Sequence, residues 1–174
     1  MATQTRARRP AWLEFVETLA VAFILAFLIR TFVLESFQVS GHSMRPTFHN
    51  GDRVLVSKLA YDFGSPKTGE IIVFQSPVIP SEDWIKRVIG VPGDTVSIRH
   101  NKVYINGKLY PEPFLKYRSS ENYGPVKVPK GSLFVLGDNR PDSYDSRYFG
   151  FLKENRVVGE AFVTWWPLSR LRWF

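Results

Sequence analysis

Cysteine is absent from this chain of 174 residues, and histidine occurs only as His42, His49 and His100. The lack of cysteine excludes disulfides and thiolate metal sites, so a fold that works outside the cytoplasm does so without covalent crosslinks. Three histidines that form no cluster argue against a histidine-based metal site. We therefore expect neither a metal ion nor another cofactor.

The chain also lacks internal repeats, low-complexity segments and any long run of basic residues. Its net charge of +7 is spread along the sequence, which does not fit nucleic-acid binding. A positively biased surface suits contact with anionic lipid or simple solubility, and the sequence leaves both open. Apart from about 35 N-terminal residues, the length is enough for one compact domain.

An apolar stretch at residues 11–34 follows a short tail, residues 1–10, that carries three arginines and no acid. A helix of this length can span a bilayer at about 1.5 Å per residue. Its apolar residues lie all round the helix, and no Ala-x-Ala site follows. We therefore expect an uncleaved transmembrane anchor, not a cleaved secretory signal or a buried helix of a soluble domain. The positive-inside rule then predicts a single-pass protein of the plasma membrane, with a cytoplasmic N-terminus and residues 35–174 outside.

Beyond this stretch, β-branched and aromatic runs alternate with Gly, Pro, Asn and Asp, which is typical of strands joined by turns. Asn106-Gly107 between two such runs indicates a hairpin. The sequence predicts a mainly β domain of antiparallel sheet on one N-terminal transmembrane helix. The predicted strands lie in GDRVLVSK (51–58), EIIVFQ (70–75), DWIKRVI (83–89), DTVSIR (94–99), KVYINGKLY (102–110), SLFVLG (132–137) and RVVGEAFVTWW (156–166).

Ser43 lies in the segment SGHSMRPTF, residues 40–48, where Gly41 and Pro46 indicate a bend. A serine presented on a bend is a candidate nucleophile, but its hydroxyl needs a nearby base to accept the proton. His42 is poorly suited because adjacent side chains of an extended chain point apart. A serine and histidine protease is therefore a weak alternative.

Lys86 is the better candidate for the base. It lies in a predicted strand from Trp84 to Ile89, where the alternation of side chains puts it on one face with Trp84 and Val88. Arg87 projects from the opposite face and needs a carboxylate of its own. Burial beside such neighbours disfavours the ammonium form, which lowers the pKa of a lysine toward working pH.

A third segment, LGDNRPDSYDSRYFG at 136–150, groups charged residues around two serines. Alone it reads as a solvated loop. In the order SGHSMRPTF, IKRVIGVPGD and GDNRPDSYDSR, however, the chain resembles the bacterial type I signal peptidases, membrane-bound serine/lysine proteases that remove signal peptides. The resemblance extends over roughly residues 36–167 and includes GDRVLVSK and VVGEAFVTWWPLSRL. Several ordered motifs together make it specific.

The resemblance implies a role for each catalytic residue. Ser43 would be the nucleophile, Lys86 the general base, and Ser143 a hydroxyl that hydrogen-bonds and orients the lysine amine. Some family members carry a serine two residues before the nucleophile that helps to stabilise the oxyanion. Gly41 occupies that position here, as in other members, so oxyanion stabilisation would fall on backbone donors, first the N–H of Ser43.

The resemblance also implies two ion pairs with structural roles. Asp145 and Arg147 would hold the third segment, and Asp138 with Arg87 would attach it to the lysine strand. Larger family members insert an extra β region between the lysine and GDNR segments. Only residues 95–135 separate those segments here, so we expect a small insertion, made of the hairpin and a following loop.

The implied activity is that of an endopeptidase that cleaves exported preproteins after small-x-small, Ala-x-Ala-like sites. Its partners would be signal peptides and membrane lipid but no nucleic acid. The sequence does not fix the oligomeric state, although a monomer is favoured. One alternative is a soluble self-cleaving repressor of the SOS type, which would need an N-terminal helix-turn-helix. The other is a membrane-tethered β binding module without chemistry, against which the joint presence of Ser43, Lys86 and Ser143 argues.

Aromatic side chains near the C-terminus allow two interpretations. Trp and Tyr favour the lipid-water interface, but aromatics in β domains more often belong to the core. We expect Trp165 and Trp166 in the core and Trp173 and Phe174 in contact with lipid.

Overall fold

The structure, a computed structural model, describes residues 10–28, 33–62 and 64–174. Most of the predicted basic tail and residues 29–32 of the predicted anchor lie outside the described residues. The described part of the predicted anchor forms α1 (Ala11–Leu28), whose apolar side chains are exposed from Ala11 to Phe27. No helix among the described residues is both long and apolar enough to cross a membrane.

The predicted anchor, residues 11–34, overlaps the first strand by one residue. Leu34 is the first residue of strand β1 (Leu34–Gln38), where it lies opposite Ser57 in an antiparallel pair. The apolar run continues across this boundary because the strand uses apolar residues as well. Hydrophobicity alone therefore gave no signal for the change from helix to strand.

Beyond β1, the strands of the described chain are β2 (Arg53–Ser57), β3 (Ile71–Gln75), β4 (Asp83–Gly90), β5 (Thr95–Arg99), β6 (Lys102–Ile105), β7 (Lys108–Leu109), β8 (Tyr123–Lys127), β9 (Ser132–Leu136), β10 (Leu152–Lys153), β11 (Val157–Trp166) and β12 (Arg172–Trp173). All seven predicted segments contain strands. The described strands, β1 included, form two antiparallel sheets, which confirms the predicted mainly β, antiparallel fold. The larger sheet has the order β1-β2-β11-β3-β4-β9-β10, with β12 paired to β11, and the smaller sheet has the order β7-β6-β5-β8.

Helical structure in the β domain is limited to short turns among the described residues. The helix α2 (Ser146–Phe149) follows the third sequence segment, and Asp145 caps its N-terminus by accepting a hydrogen bond from the backbone N–H of Arg147. Single turns of 3-10 helix connect other elements; they cover Leu59–Tyr61, Arg140–Asp142, Glu154–Arg156 and Leu168–Arg170.

The smaller sheet lies between the lysine and GDNR segments, in the region where the sequence predicts a small insertion made of the hairpin and a following loop. Its hairpin turns at Asn106 and Gly107, whose φ angles of 52° and 79° are those of the tight turn that this residue pair favours. The loop expected after the hairpin contains β8, which pairs with β5. Gly124 and Pro125 concealed this strand, because a proline is tolerated only where a strand lies at the edge of its sheet.

Three clusters of buried side chains form the core within residues 33–62 and 64–174. One cluster joins the two sheets, and the other two lie against β3, with Ile71 and Val73 in one and Ile72 and Phe74 in the other. The Ile71 cluster also receives Met44 and Phe48, which are 1% and 0% exposed. Burial of a Met or Phe side chain contributes about 1.5–3 kcal/mol, so these two residues fix the bend that carries Ser43.

The strand β4 is paired unequally along its two edges. It pairs with β3 over residues 83–87, whereas β9 lies opposite only residues 87–90. Residues 83–86 therefore have a strand on one side only among the described residues, and Lys86 lies at this half-open end.

The C-terminal aromatic residues differ from the expectation in part. Trp166 is 49% exposed, so its assignment to the core is wrong, and Trp165 is half-buried with its indole N–H donating to Ser36 Oγ at 3.0 Å. Trp173 is 71% exposed and Phe174 is 41% exposed. Lipid contact by the last two stays a prediction.

Candidate active site

Ser43 lies on the bend that its sequence predicted. Gly41 has a φ of +88°, a left-handed conformation that favours glycine, and its backbone N–H donates to Asn50 Oδ1 at 3.0 Å. Immediately after Ser43 the chain enters the core through Met44. The hydroxyl is thus presented by a short turn that is held on both sides.

The Lys86 amine reaches this hydroxyl directly. Its Nζ donates to Ser43 Oγ at 2.8 Å and to the carbonyl of Ile85 at 3.2 Å, and it lies 5.9 Å from the centre of the Trp84 ring. Lys86 is only 5% exposed. Burial lowers the pKa of Lys86 from its ordinary 10.5 to about 8, against the opposing effect of the Asp145 and Asp138 carboxylates. Near pH 8 about half of the amine is then neutral and able to accept a proton.

Asp145 organises the third segment. Its carboxylate is 0% exposed and accepts from Arg147 Nε at 2.8 Å, from Arg147 Nη2 at 3.0 Å and from the backbone N–H of Gly137 at 3.1 Å. It also accepts from Ser143 Oγ at 2.8 Å. The expected pair of Asp145 with Arg147 is therefore present, and the same carboxylate also connects α2 to the end of β9.

The expected hydrogen bond between Ser143 and the Lys86 amine is absent among the described residues. The Ser143 hydroxyl donates to Asp145, and the hydrogen bonds of the amine go to Ser43 and Ile85. A buried carboxylate is the stronger acceptor for a hydroxyl donor, because charge-assisted hydrogen bonds exceed neutral ones. Ser143 thus hydrogen-bonds to the Asp145 carboxylate and not to the lysine. The carboxylate in turn acts on the lysine electrostatically.

Asp138 forms the second expected ion pair. Its two oxygens accept from Arg87 Nε at 2.9 Å and from Arg87 Nη2 at 2.7 Å, a bidentate arrangement, and Thr47 Oγ1 donates to the same carboxylate. Asp138 is 0% exposed. Arg87 also donates to the carbonyl of Gly69 at 2.8 Å. The carboxylate joins the lysine strand, the third segment and the turn after Ser43.

Three residues in the site were not assigned a role from the sequence: Thr47, Gly137 and Asn139. The backbone N–H of Asn139 donates to the carbonyl of Ser43 at 2.8 Å, and its side-chain Nδ2 donates to the carbonyl of His42 at 3.1 Å. The GDNR motif contains Gly137 and Asn139, so the motif carried the signal. Strand and turn patterns say nothing of which distant carbonyl such residues contact.

A cleft of about 470 Å³ lies along Ser43 and Lys86. The end of β1 and the residues after it, 37–41, form one wall, and residues 82–86 form the other. His42 also lines the cleft, and its Nδ1 lies 3.8 Å from Asp142 Oδ2. The hydrogen-bond partner of the Ser43 hydroxyl is Lys86 and not His42. No group of three or more potential metal ligands occurs in the described part of the chain.

Comparison with known proteins gives a consistent result. A family model described as signal peptidase, peptidase S26, matches residues 12–166. A probable signal peptidase I-2 of Synechocystis is 42% identical, with 92% of this chain and 76% of the relative covered. Signal peptidase I of Leptolyngbya laminosa is 40% identical over 98% of this chain and 87% of the relative. Signal peptidase I of Bacillus caldolyticus is 38% identical over 98% of this chain and 97% of the relative.

Among solved structures, a signal peptidase I from Enterococcus faecalis V583 is 37% identical, covers 55% of this chain and 96% of its own, and superposes with a TM-score of 0.49. The family and relatives define the class of protein first: the chain is a serine peptidase and hence a hydrolase. It belongs to the signal peptidase family, peptidase S26, among the bacterial type I signal peptidases. The resemblance seen in the sequence is thereby confirmed.

The close packing at Gly137 provides a test of the site geometry. A Cβ at this position would lie 2.2 Å from Ser143 Oγ and 2.5 Å from the carbonyl oxygen of Ser43. Gly137→Ala should therefore lower the free energy of unfolding by about 1–3 kcal/mol through overpacking. Peptide cleavage should fall by about 10², because the Ser43 turn has to move. Thermal unfolding and initial rates measure the two effects.

Gly64→Ala is the matched control, because nothing lies within 4 Å of a Cβ there. Adding Ser143→Ala to Gly137→Ala should not restore activity, since the Ser43 carbonyl stays in the way. Wild-type stability and rates in Gly137→Ala would contradict the described packing.

Proposed function

We propose that this chain is a membrane-anchored endopeptidase that removes N-terminal signal peptides from exported preproteins. In this proposal Ser43 is the nucleophile and Lys86 is the general base. The observation that carries it is the 2.8 Å contact between Ser43 Oγ and the buried amine of Lys86. The names of the relatives, signal peptidases I, support signal peptides as the substrates.

Every proton transfer in this proposal uses the same amine. Neutral Lys86 takes the proton of Ser43 as the serine oxygen attacks the scissile carbonyl, and the backbone N–H of Ser43 stabilises the oxyanion. The resulting ammonium then gives its proton to the leaving amine, which leaves an acyl-enzyme. Neutral again, Lys86 accepts a proton from the water molecule that attacks the ester, and returns it to Ser43 Oγ as the ester C–O bond breaks. The lysine pKa of about 8 suits this alternation, since neither protonation state is strongly disfavoured.

The supporting residues act by fixing the positions of the two reacting groups. Asp138 and its partner Arg87 hold the lysine strand against the third segment, and Asp145 with Arg147 holds that segment in shape. Ser143 takes part through its hydrogen bond to Asp145. A base has to lie within about 2.6–3.2 Å of the hydroxyl, so this rigidity is a requirement of the chemistry.

The cleft is shaped for an extended substrate. Residues 83–86 of β4 have an edge that no described strand occupies, and the end of β1 faces them across the cleft. A peptide in extended conformation can add to such an edge through main-chain hydrogen bonds, while side-chain pockets select alternate residues. Preference for small side chains, as in Ala-x-Ala sites, is the specificity that we propose for these pockets.

We also propose that the helix from Ala11 onward anchors the chain in the plasma membrane and ends before β1. The exposed apolar surface of α1, with Phe23 75% exposed, supports this because water disfavours such a surface. Residues 1–10 would lie in the cytoplasm and residues 35–174 outside it. Exposed Trp173 and the neighbouring Leu171, at 71% and 57%, would contact lipid beside the anchor. We propose a monomer.

The assignment of Ser43 and Lys86 predicts which variants lose cleavage. Wild type should cut a detergent-solubilised preprotein after its Ala-x-Ala site, as shown by the N-terminal sequence of the product. Ser43→Ala and Lys86→Ala should each lower the rate by at least about 10³, because a nucleophile or its base is lost. His42→Ala should cleave at a similar rate to wild type.

The outcomes separate the alternatives. Wild-type protein that binds the preprotein but leaves it intact between pH 7 and pH 10 would favour a tethered binding module. Retained cleavage by Lys86→Ala would show that the base is misassigned.

The lowered pKa of Lys86 predicts the pH dependence of cleavage. Because the neutral amine is the active form, kcat/KM should rise about tenfold per pH unit below a midpoint near 8 and level off above it. Circular dichroism across the same range controls for unfolding. A midpoint near the ordinary lysine value of 10.5, or a flat profile, would contradict the role of a buried amine as base.

The proposed anchor predicts resistance to extraction from membranes. The full chain should remain in the pellet after an alkaline carbonate wash of membrane vesicles. Replacing both Val21 and Leu25 of α1 by arginine should release it, because each charge near a bilayer centre costs about 2.5–3.5 kcal/mol. Leu59→Arg, at an exposed site of the β domain, is the matched control and should stay in the pellet. Release of the wild type would reject the anchor.

A further inference from the structure

We infer that Asn139 is a positioning residue that fixes the direction of the Ser43 backbone N–H, the proposed donor to the oxyanion. The inference rests on the proposed function, in which Ser43 attacks the scissile carbonyl. Nothing in the resemblance assigned a role to Asn139. The inference is based on two hydrogen bonds that Asn139 donates to consecutive carbonyls of the Ser43 turn.

Asn139 holds both peptide units that flank Ser43. Its side-chain Nδ2 donates to the carbonyl of His42 at 3.1 Å, and its backbone N–H donates to the carbonyl of Ser43 at 2.8 Å. The residue is 8% exposed, so water competes little for these contacts. The carbonyl of His42 also accepts from the backbone N–H of Arg45 at 3.1 Å, within the turn itself.

Peptide geometry converts these contacts into control of the N–H. The bond between His42 and Ser43 is trans, because the cis bonds of the described chain all precede prolines. In a planar trans peptide the C=O and the N–H point in opposite directions. Holding the His42 carbonyl toward Asn139 therefore directs the Ser43 N–H away from Asn139. The hydrogen bond to the Ser43 carbonyl fixes the next peptide unit as well. The backbone then cannot rotate around Ser43 in a way that would redirect its N–H.

The glycine in this turn makes an external constraint important. Gly41 lies two residues before Ser43 in a left-handed conformation, and glycine permits rotations that other residues resist. The Gly41 N–H already donates to Asn50, and Gly41 offers no hydroxyl. The Ser43 N–H is therefore the donor on which the proposed oxyanion site most depends. A rotation of this peptide would present a carbonyl oxygen to the developing negative charge.

The contribution of Asn139 is measurable as a loss in kcat. Removing one oxyanion donor costs about 10²–10³ in kcat, and Asn139→Ala should cost less, about 10- to 100-fold, because the Arg45 N–H still restrains the peptide. KM should stay within about twofold, since ground-state contacts are unchanged. The pH midpoint near 8 should also stay, because burial of Lys86 sets it. Cleavage of an Ala-x-Ala peptide by the full chain in detergent measures kcat, KM and the pH midpoint.

A transition-state mimic separates positioning from general damage. The Ser43 oxygen adds to the carbonyl carbon of a peptide aldehyde that ends in alanine. A C–O bond forms, the carbonyl π bond opens, the Ser43 proton passes to Lys86, and the former carbonyl oxygen lies at the oxyanion site. Asn139→Ala should weaken inhibition by this aldehyde by about the same factor as kcat/KM. Binding of the matching peptide acid, which forms no such bond, should be unchanged. Asn139→Asp keeps the shape but loses the donor and should show the same weakening.

Asn122→Ala is the matched control, because Asn122 is an exposed asparagine beside the smaller sheet that accepts a hydrogen bond from the His100 N–H. It should match wild type in every measurement. Equal weakening of the aldehyde and the peptide acid, or wild-type kcat in both Asn139 variants, would overturn the inference. Loss of the folded state in both variants would overturn it too and assign Asn139 to stability. Failure of the proposed function would instead appear as wild-type cleavage by Ser43→Ala.

Discussion

Lys86 has to be buried deeply enough to lose its proton within a site that is held together by two buried carboxylates. Burial disfavours the ammonium form, whereas Asp145 and Asp138 favour it, and burial is the larger effect. Each carboxylate is paired with its own arginine, Arg147 or Arg87. Each pair weakens the electrostatic effect of its carboxylate on the amine, because the adjacent positive charge of the arginine offsets the field of the carboxylate. The amine of the proposed base can therefore have a pKa of about 8 while the ion pairs that position it stay intact.

The same carboxylates explain how distant parts of the chain come together. Asp138 contacts Arg87 on β4 and Thr47 after the nucleophile turn, and Asp145 contacts the end of β9 through the Gly137 N–H. Removing one member of such a buried pair leaves an uncompensated charge, which typically costs about 3–5 kcal/mol. Stability of the domain and geometry of the site thus depend on the same few contacts. A lysine held by apolar packing alone would be neutral but free to adopt other rotamers.

Much of the fold and of the candidate site was predictable from the sequence, because their signals are local. The alternation of β4 and the Asn106-Gly107 turn are patterns of a few residues, and both appear in the structure. The strand β8 was missed, since an edge strand tolerates a proline. Hydrophobicity also does not separate the end of a helix from the start of a strand. The partner of Ser143 was also misjudged. Which acceptor a hydroxyl reaches is decided by competition among buried groups, and a sequence does not display that competition.

A turn without a side-chain donor at Gly41 shifts the demand for oxyanion stabilisation onto one peptide N–H, and a peptide N–H is only as well placed as its own carbonyl. A serine hydroxyl can adjust by rotating about a single bond, whereas a peptide group moves only with the backbone on both sides. Precision then has to come from outside the turn. The third segment supplies it through Asn139 and through Gly137, where only a glycine leaves room for the Ser43 carbonyl. One short segment thus restrains the proposed nucleophile through hydrogen bonds to its backbone and influences the proposed base through the Asp138 and Asp145 carboxylates.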